Sequence, residues 1–190
     1  MQQLQATPTA GHTALTRRDV TRWAVTFLGY PLAGFVALLV VGRVDSARPA
    51  VLGGLLSGAV LGAVQGWGLG RNRPPVAAWI VATAAGFAAG LGLGASLVNY
   101  HTNLAALVTQ GAITGFATGS AQALVLLPRL GVLVMTWPPA LAVIWAAGWA
   151  VTTTAGIGVD DQFTVFGSSG ALIVTALTLV LPFALNRRNP

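Results

Sequence analysis

Six apolar blocks, each close to the length of a membrane-spanning helix, account for most of this chain. A helix needs about 20 apolar residues to cross roughly 30 Å of hydrocarbon. Only 7% of the 190 residues are charged, against roughly 25% in an average soluble domain. The sequence therefore predicts an all-α polytopic membrane protein, a compact bundle of six transmembrane helices. We place them at about 24–42, 50–70, 76–98, 104–127, 133–156 and 165–186.

The arginines predict the orientation of these helices. All ten basic residues are arginine, and with six spans Arg43 and Arg48 face one side while the other eight face the opposite side. The side with more arginines is cytoplasmic by the positive-inside rule. We therefore expect a bacterial plasma membrane protein with both termini in the cytoplasm. The predicted organisation is a disordered cytoplasmic tail at 1–22 and a transmembrane domain at 23–188.

Several classes of protein do not fit this composition. The arginines are divided among separate short segments, which argues against a basic face that binds nucleic acid. The chain has no cysteine and therefore no thiolate metal site or cysteine nucleophile. Asp160 and Asp161 alone fall short of the about six oxygen ligands that calcium needs. We expect no cofactor, and as partners the lipid bilayer and either another membrane protein or a second copy of the chain.

Glycines recur at every fourth position in three of the predicted helices. In lipid, helices associate mainly where small residues let two backbones approach closely, so glycine at this spacing indicates a packing face. The pattern predicts glycine-zipper packing. The predicted packing glycines are Gly54, Gly58, Gly62 and Gly66 in the second helix, Gly86, Gly90 and Gly94 in the third, and Gly111, Gly115 and Gly119 in the fourth.

Gln65 and Gln122 close the same motif, G-x-x-x-G-x-x-Q, at 58–65 and 115–122. At 100° per residue, each glutamine falls within about 20° of the central glycine of its face. We therefore predict that both side chains point into the bundle at similar depth. A weaker match in the following helices extends the similarity to two helical hairpins, at about 50–98 and 107–158. We hypothesise that the last and first helices together form a third copy of this hairpin.

The motif together with the basic turn that follows it resembles a group of uncharacterised bacterial multi-pass membrane proteins. The residues that carry the resemblance are "GAVLGAVQGWGLGRNR" at 58–73 and "GFATGSAQALVLLPRL" at 115–130. The resemblance implies a multi-pass membrane fold and no particular activity.

Four tryptophans fall at the predicted cytoplasmic ends of helices, namely Trp23, Trp67, Trp79 and Trp137. Tryptophan is enriched where a membrane meets water, because one end of its ring is apolar and the other end is polar. The positions predict an aromatic belt at the membrane surface.

An enzymatic function is not expected. "GSSG" at 167–170 has the form of the serine motif of rhomboid intramembrane proteases, but no histidine follows Ser169, and His101 lies in a predicted outer loop. A serine nucleophile needs such a base within hydrogen-bonding reach. No predicted span carries an acidic or basic residue in its interior, which argues against proton or ion coupling.

Two functions remain. The first is a non-enzymatic accessory or assembly component that acts through helix packing. The alternative is a small permease, or a substrate-binding transport subunit, for a neutral solute. A solute site would be a cavity of about 300 Å³ or more with convergent polar groups. The side chains available for it are Gln65, Gln122, Thr109, Thr114, Thr118 and Ser120.

Overall fold

The computed structural model describes residues 15–156, 165 and 167–187, and among them it contains helices and no strand. Five helical segments are long and apolar enough to cross a membrane: Arg17–Val41, Ala47–Gly68, Val76–Leu97, Leu104–Thr154 and Ser168–Arg187.

Eight α-helices make up these segments. They are α1 (Arg17–Val25), α2 (Gly29–Val41), α3 (Ala47–Gly68), α4 (Val76–Leu97), α5 (Leu104–Leu130), α6 (Trp137–Thr154), α7 (Ser168–Leu177) and α8 (Val180–Arg187). Short 3₁₀ stretches join or follow them at Thr26–Leu28, Gly70–Asn72 and Gly131–Thr136.

Helix α1 begins at Arg17, within the tail predicted at 1–22. The Thr16 hydroxyl accepts a hydrogen bond from the Asp19 backbone N–H at 3.2 Å, and the Asp19 carboxylate accepts one from the Thr16 backbone N–H at 3.1 Å. This reciprocal capping box satisfies two backbone donors that a helix start otherwise leaves free. Residues 1–14 of the predicted tail lie outside the described part of the chain.

Prolines account for the breaks within the first and last segments. Pro31 has no N–H to donate to the carbonyl of residue 27, and the 3₁₀ stretch Thr26–Leu28 lies at that point. Pro182 likewise cannot donate to the carbonyl of Thr178, and α7 ends at the residue before Thr178. Each segment therefore consists of two helices that follow one another.

The segment Leu104–Thr154 turns back on itself. It contains 51 residues, about 76 Å of helix at 1.5 Å per residue, and it reverses at Gly131, whose φ of +58° is unfavourable for other residues. Helices α5 and α6 consequently pack side by side along much of their length.

Helices that follow one another in the sequence are neighbours in space, from α2 through α7. The arrangement closes where α1 and the following 3₁₀ stretch contact α7. At this contact the Trp23 indole N–H donates to the Thr175 carbonyl at 3.0 Å. Buried aromatic rings fill the centre, where Phe87 and Trp145 meet edge to face with centroids 5.0 Å apart.

Candidate functional site

Three glycines of α3 lie directly against the backbone of α4. A Cβ atom added to Gly58 would lie 2.7 Å from the Cα of Ala84, and one added to Gly54 would lie 2.9 Å from the Cα of Ala88. The corresponding distance from Gly62 to the Cα of Ile80 is 3.0 Å. Only a residue without a side chain permits helices to approach this closely.

Helices α5 and α6 meet in the same register as α3 and α4. A Cβ atom on Gly115 would lie 3.0 Å from the Cα of Ala142, and one on Gly119 would lie 2.8 Å from the Cα of Pro138. Gly111 faces the Trp145 carbonyl in the same way, at 3.0 Å. The contact of Gly115 with Ala142 thus matches that of Gly58 with Ala84, shifted by 57 residues on one helix and by 58 on the other.

The glycines of α4 contact α5, so α4 uses two faces. A Cβ atom on Gly86 would lie 2.6 Å from the Cα of Thr118, and one on Gly90 would lie at the same distance from the Cα of Thr114. Gly94 is slightly less tightly packed, 3.2 Å from the Cα of Gln110. Backbone contact therefore continues without interruption from α3 through α6.

Gly66 differs from the other predicted packing glycines. A Cβ atom there would meet Val76 at 3.6 Å, which is an ordinary van der Waals distance. The sequence pattern missed another close approach, in which Gly170 of α7 lies against the backbone of Gly148 in α6. Neither Gly148 nor Gly170 has another glycine four residues away on its own helix, and a search for periodic glycines therefore does not find them.

Gln122 joins three helices from a buried position, with 2% of its surface exposed. Its amide nitrogen donates to the Thr83 hydroxyl of α4 at 3.1 Å. Its amide oxygen accepts a hydrogen bond from the Trp137 indole N–H of α6 at 2.9 Å. Both ends of the amide are therefore used within the protein, as burial in an apolar surrounding requires.

Gln65 has a similar position and an incomplete set of partners. It is 7% exposed, and the Tyr30 hydroxyl lies within hydrogen-bonding reach of its side chain. Among the described residues, however, neither the Gln65 amide oxygen nor the Trp79 indole nitrogen has a hydrogen-bond partner. Trp79 stands at the start of α4 as Trp137 stands at the start of α6. The bond from Trp137 to Gln122 thus has no counterpart between Trp79 and Gln65.

Both glutamines line one small void at the centre of the helices. Its volume is about 10 Å³, room for about one water molecule and far less than a solute requires. Of the polar side chains that were candidates for a solute site, Gln65 and Gln122 line this void. The others lie elsewhere, and the hydroxyls of Thr114 and Ser120 bond to carbonyls one turn back on their own helix, each at 2.8 Å.

The predicted aromatic belt is wrong for three of its four tryptophans. Trp23, Trp79 and Trp137 are buried and line the central void, while Trp67 alone of the four is exposed, at 47%. Their indole rings fill the space between helices, and the N–H groups of Trp23 and Trp137 find acceptors there. The sequence held one signal for this role, because Trp23, Trp79 and Trp137 are spaced by 56 and 58 residues, close to the glycine repeat.

Among the described residues, no base lies within hydrogen-bonding reach of the serine that was considered as a nucleophile. The Ser169 hydroxyl has no hydrogen-bond partner among the described residues, and His101 is exposed between α4 and α5. No three potential metal ligands cluster anywhere in the described ranges. Asp160 and Asp161 fall outside those ranges.

The described residues thus form an all-helical arrangement with five segments able to cross a membrane and a tightly packed, partly polar centre. No family model, curated protein or solved structure matches the chain. Its function must be inferred from its own contacts.

Proposed function

We propose that this protein is a non-enzymatic integral membrane protein that acts through helix packing, as an accessory or assembly component. The observation that carries the proposal is the packed centre, where both ends of the Gln122 amide bond to Thr83 and Trp137 beside a void of about 10 Å³. A centre of this kind stabilises helix association, and this void is far smaller than a solute site.

In this proposal the chain crosses the membrane six times, because Leu104–Thr154 is too long for one crossing and α5 lies against α6. The uneven distribution of arginines places both termini in the cytoplasm. The matching registers of α3 with α4 and of α5 with α6 support two copies of one hairpin, packed as a glycine zipper. Trp23 at the void supports a third copy, formed by the last and first segments.

Affinity purification of the tagged protein from its native membranes in a mild detergent tests this function. We expect another membrane protein, or a second copy of the chain, to co-purify in fixed stoichiometry. A tagged, unrelated multi-span protein from the same membranes is the control for carry-over.

The alternative, a permease or a substrate-binding subunit for a neutral solute, predicts a different result. Mass spectrometry of the extracted preparation would then find one small molecule in stoichiometric amount, with no protein partner. Its retention would have to depend on Gln65 or Gln122, whose substitution would abolish binding and leave stability unchanged. That outcome would replace the packing function by transport.

A further inference from the structure

A groove of about 420 Å³ lies between the start of α6 and α8, at the end of the bundle where α5 and α8 terminate. Its walls come from residues 130–140 and 180–187, and they include the exposed side chains of Leu133 and Phe183. On a protein that spans a membrane, an apolar groove open at the outer surface is in contact with lipid. The side chains that line the groove therefore determine which lipid can bind there.

The polar groups in this groove are largely engaged by the protein itself. The Thr136 hydroxyl donates to the Leu133 carbonyl at 2.8 Å, and the Trp137 indole N–H donates to Gln122. The guanidinium group of Arg187 is the remaining polar group of the lining, and its carbon lies 4.2 Å from the ring centroid of Phe183. The groove thus combines apolar walls with one cation at its edge.

Within the described part of the chain no carboxylate pairs with Arg187. Asp19 is bound by Thr16, and Asp45 lies at the opposite end of α3 from the 3₁₀ stretch that α8 contacts. This end of the bundle carries an excess of arginine, including Arg71 and Arg129. Among the described residues, Arg187 therefore adds to the positive charge at this end of the bundle without a carboxylate partner.

The length of the groove favours a lipid over a transmembrane helix as its occupant. Helix α8, which forms one wall, has eight residues and is about 12 Å long. This is less than half of the roughly 30 Å of hydrocarbon that a spanning helix would need to follow. A groove of this length accommodates part of one acyl chain within a single leaflet.

We propose that this groove is a binding site for an anionic phospholipid. One acyl chain lies along the wall formed by Phe183, Leu133 and Ala140, and the headgroup phosphate accepts hydrogen bonds from the Arg187 guanidinium. Arginine suits this role, because its planar group donates two parallel hydrogen bonds to phosphate. The site goes beyond the proposed packing function and does not depend on it.

Photolabelling of the purified full-length protein in phosphatidylcholine nanodiscs tests the site. The probes are phosphatidylglycerol and phosphatidylcholine, each with a diazirine in one acyl chain, and adducts are mapped by mass spectrometry. We expect adducts within 131–140 and 180–187 at about fivefold higher yield with phosphatidylglycerol. Arg187→Gln should make the two yields equal, whereas Arg73→Gln, at an exposed arginine outside the groove, should preserve the preference.

A second variant tests the apolar part of the site. Ala184→Phe fills the groove and keeps the charge, so it should lower the yield in these segments with both probes. Arg187→Gln and Ala184→Phe alter the rim and the wall of a surface groove, and unchanged thermal unfolding identifies them as folded. Equal labelling by the two probes in the wild type, or adducts spread evenly over exposed faces such as Leu39 and Leu124, would overturn the proposal.

Discussion

At the scale of single residues, the two buried glutamines show how an amide can be accommodated inside a membrane protein. Gln122 reaches one donor and one acceptor on two different helices, so its burial leaves neither end unpaired. Gln65 lines the same void with its amide oxygen unpartnered among the described residues. We therefore expect residues that are equivalent by sequence motif to make different contributions to stability.

Replacing the glutamines by leucine should separate these contributions. Gln122→Leu leaves the Trp137 indole N–H without its acceptor, and we expect it to cost about 2 kcal/mol of unfolding free energy. Gln65→Leu removes an oxygen that has no partner together with one contact to the buried Tyr30 hydroxyl, and its cost should be smaller, about 1 kcal/mol. Unfolding in mixed micelles titrated with sodium dodecyl sulfate measures both values. A larger loss for Gln65→Leu would contradict the assigned contacts.

At the scale of helices, the glycines determine how closely neighbouring backbones approach. Gly54, Gly58 and Gly62 face α4, and the next helices repeat the arrangement at Gly111, Gly115 and Gly119. Because hydrocarbon provides no hydrophobic drive between helices, these close contacts supply much of the attraction through van der Waals packing. Gly66 belongs to the same periodic series and lacks the close contact.

Alanine substitutions at Gly58 and Gly66 form a matched pair. The new methyl group at Gly58 would lie 2.7 Å from the backbone of Ala84, so Gly58→Ala should destabilise the protein by about 1–3 kcal/mol. At Gly66 the methyl group has room, and Gly66→Ala should change stability by less than about 1 kcal/mol, in the stabilising direction. Unfolding in the same mixed micelles measures both changes in free energy. Equal losses in the two variants would show that the four-residue spacing of the glycines matters more than the close contact of Gly58 with Ala84.

A leucine at Gly115 should be more damaging than loss of a glutamine. The Cβ atom alone would collide with the Leu141 carbonyl and lie 3.0 Å from the Cα of Ala142. A leucine side chain would force α5 away from α6 at this contact. Gln122→Leu, by comparison, removes two hydrogen bonds and leaves the backbones in place. We expect Gly115→Leu to prevent recovery of folded protein in detergent, measured by size-exclusion chromatography. Normal recovery of Gly115→Leu beside poor recovery of Gln122→Leu would reverse this order.

Periodicity predicted a helical protein with apolar segments long enough to cross a membrane, because this property depends on spacing along one helix. The α3 and α5 glycines, which recur at every fourth residue, lie against α4 and α6. The tryptophans could not be assigned in the same way. A Trp at a helix end satisfies the pattern of a membrane-surface belt equally well when it faces inward, and only the arrangement of several helices shows that Trp79 and Trp137 share a void.

At the scale of the whole molecule, the number of membrane crossings depends on the segment Leu104–Thr154. A single helix of its 51 residues would measure about 76 Å, more than twice the thickness of the hydrocarbon. The reversal at Gly131 and the packing of α5 on α6 divide it into two helices. Each of these, with 27 and 18 residues, is close to the length of one crossing.

Reporter fusions test the proposed topology of six crossings with both termini in the cytoplasm. Fusions after residues 45, 73, 102, 131 and 161 should report outside, inside, outside, inside and outside, because each connection between packed antiparallel helices lies opposite the previous one. Alkaline phosphatase, active outside, and a fluorescent protein, active inside, provide opposite readouts at each site. The fusion after residue 131 is decisive, since it follows α5 directly. If it reports outside together with that after residue 102, then α5 does not cross the membrane, and both the paired hairpins and the cytoplasmic position of the C-terminus must be abandoned.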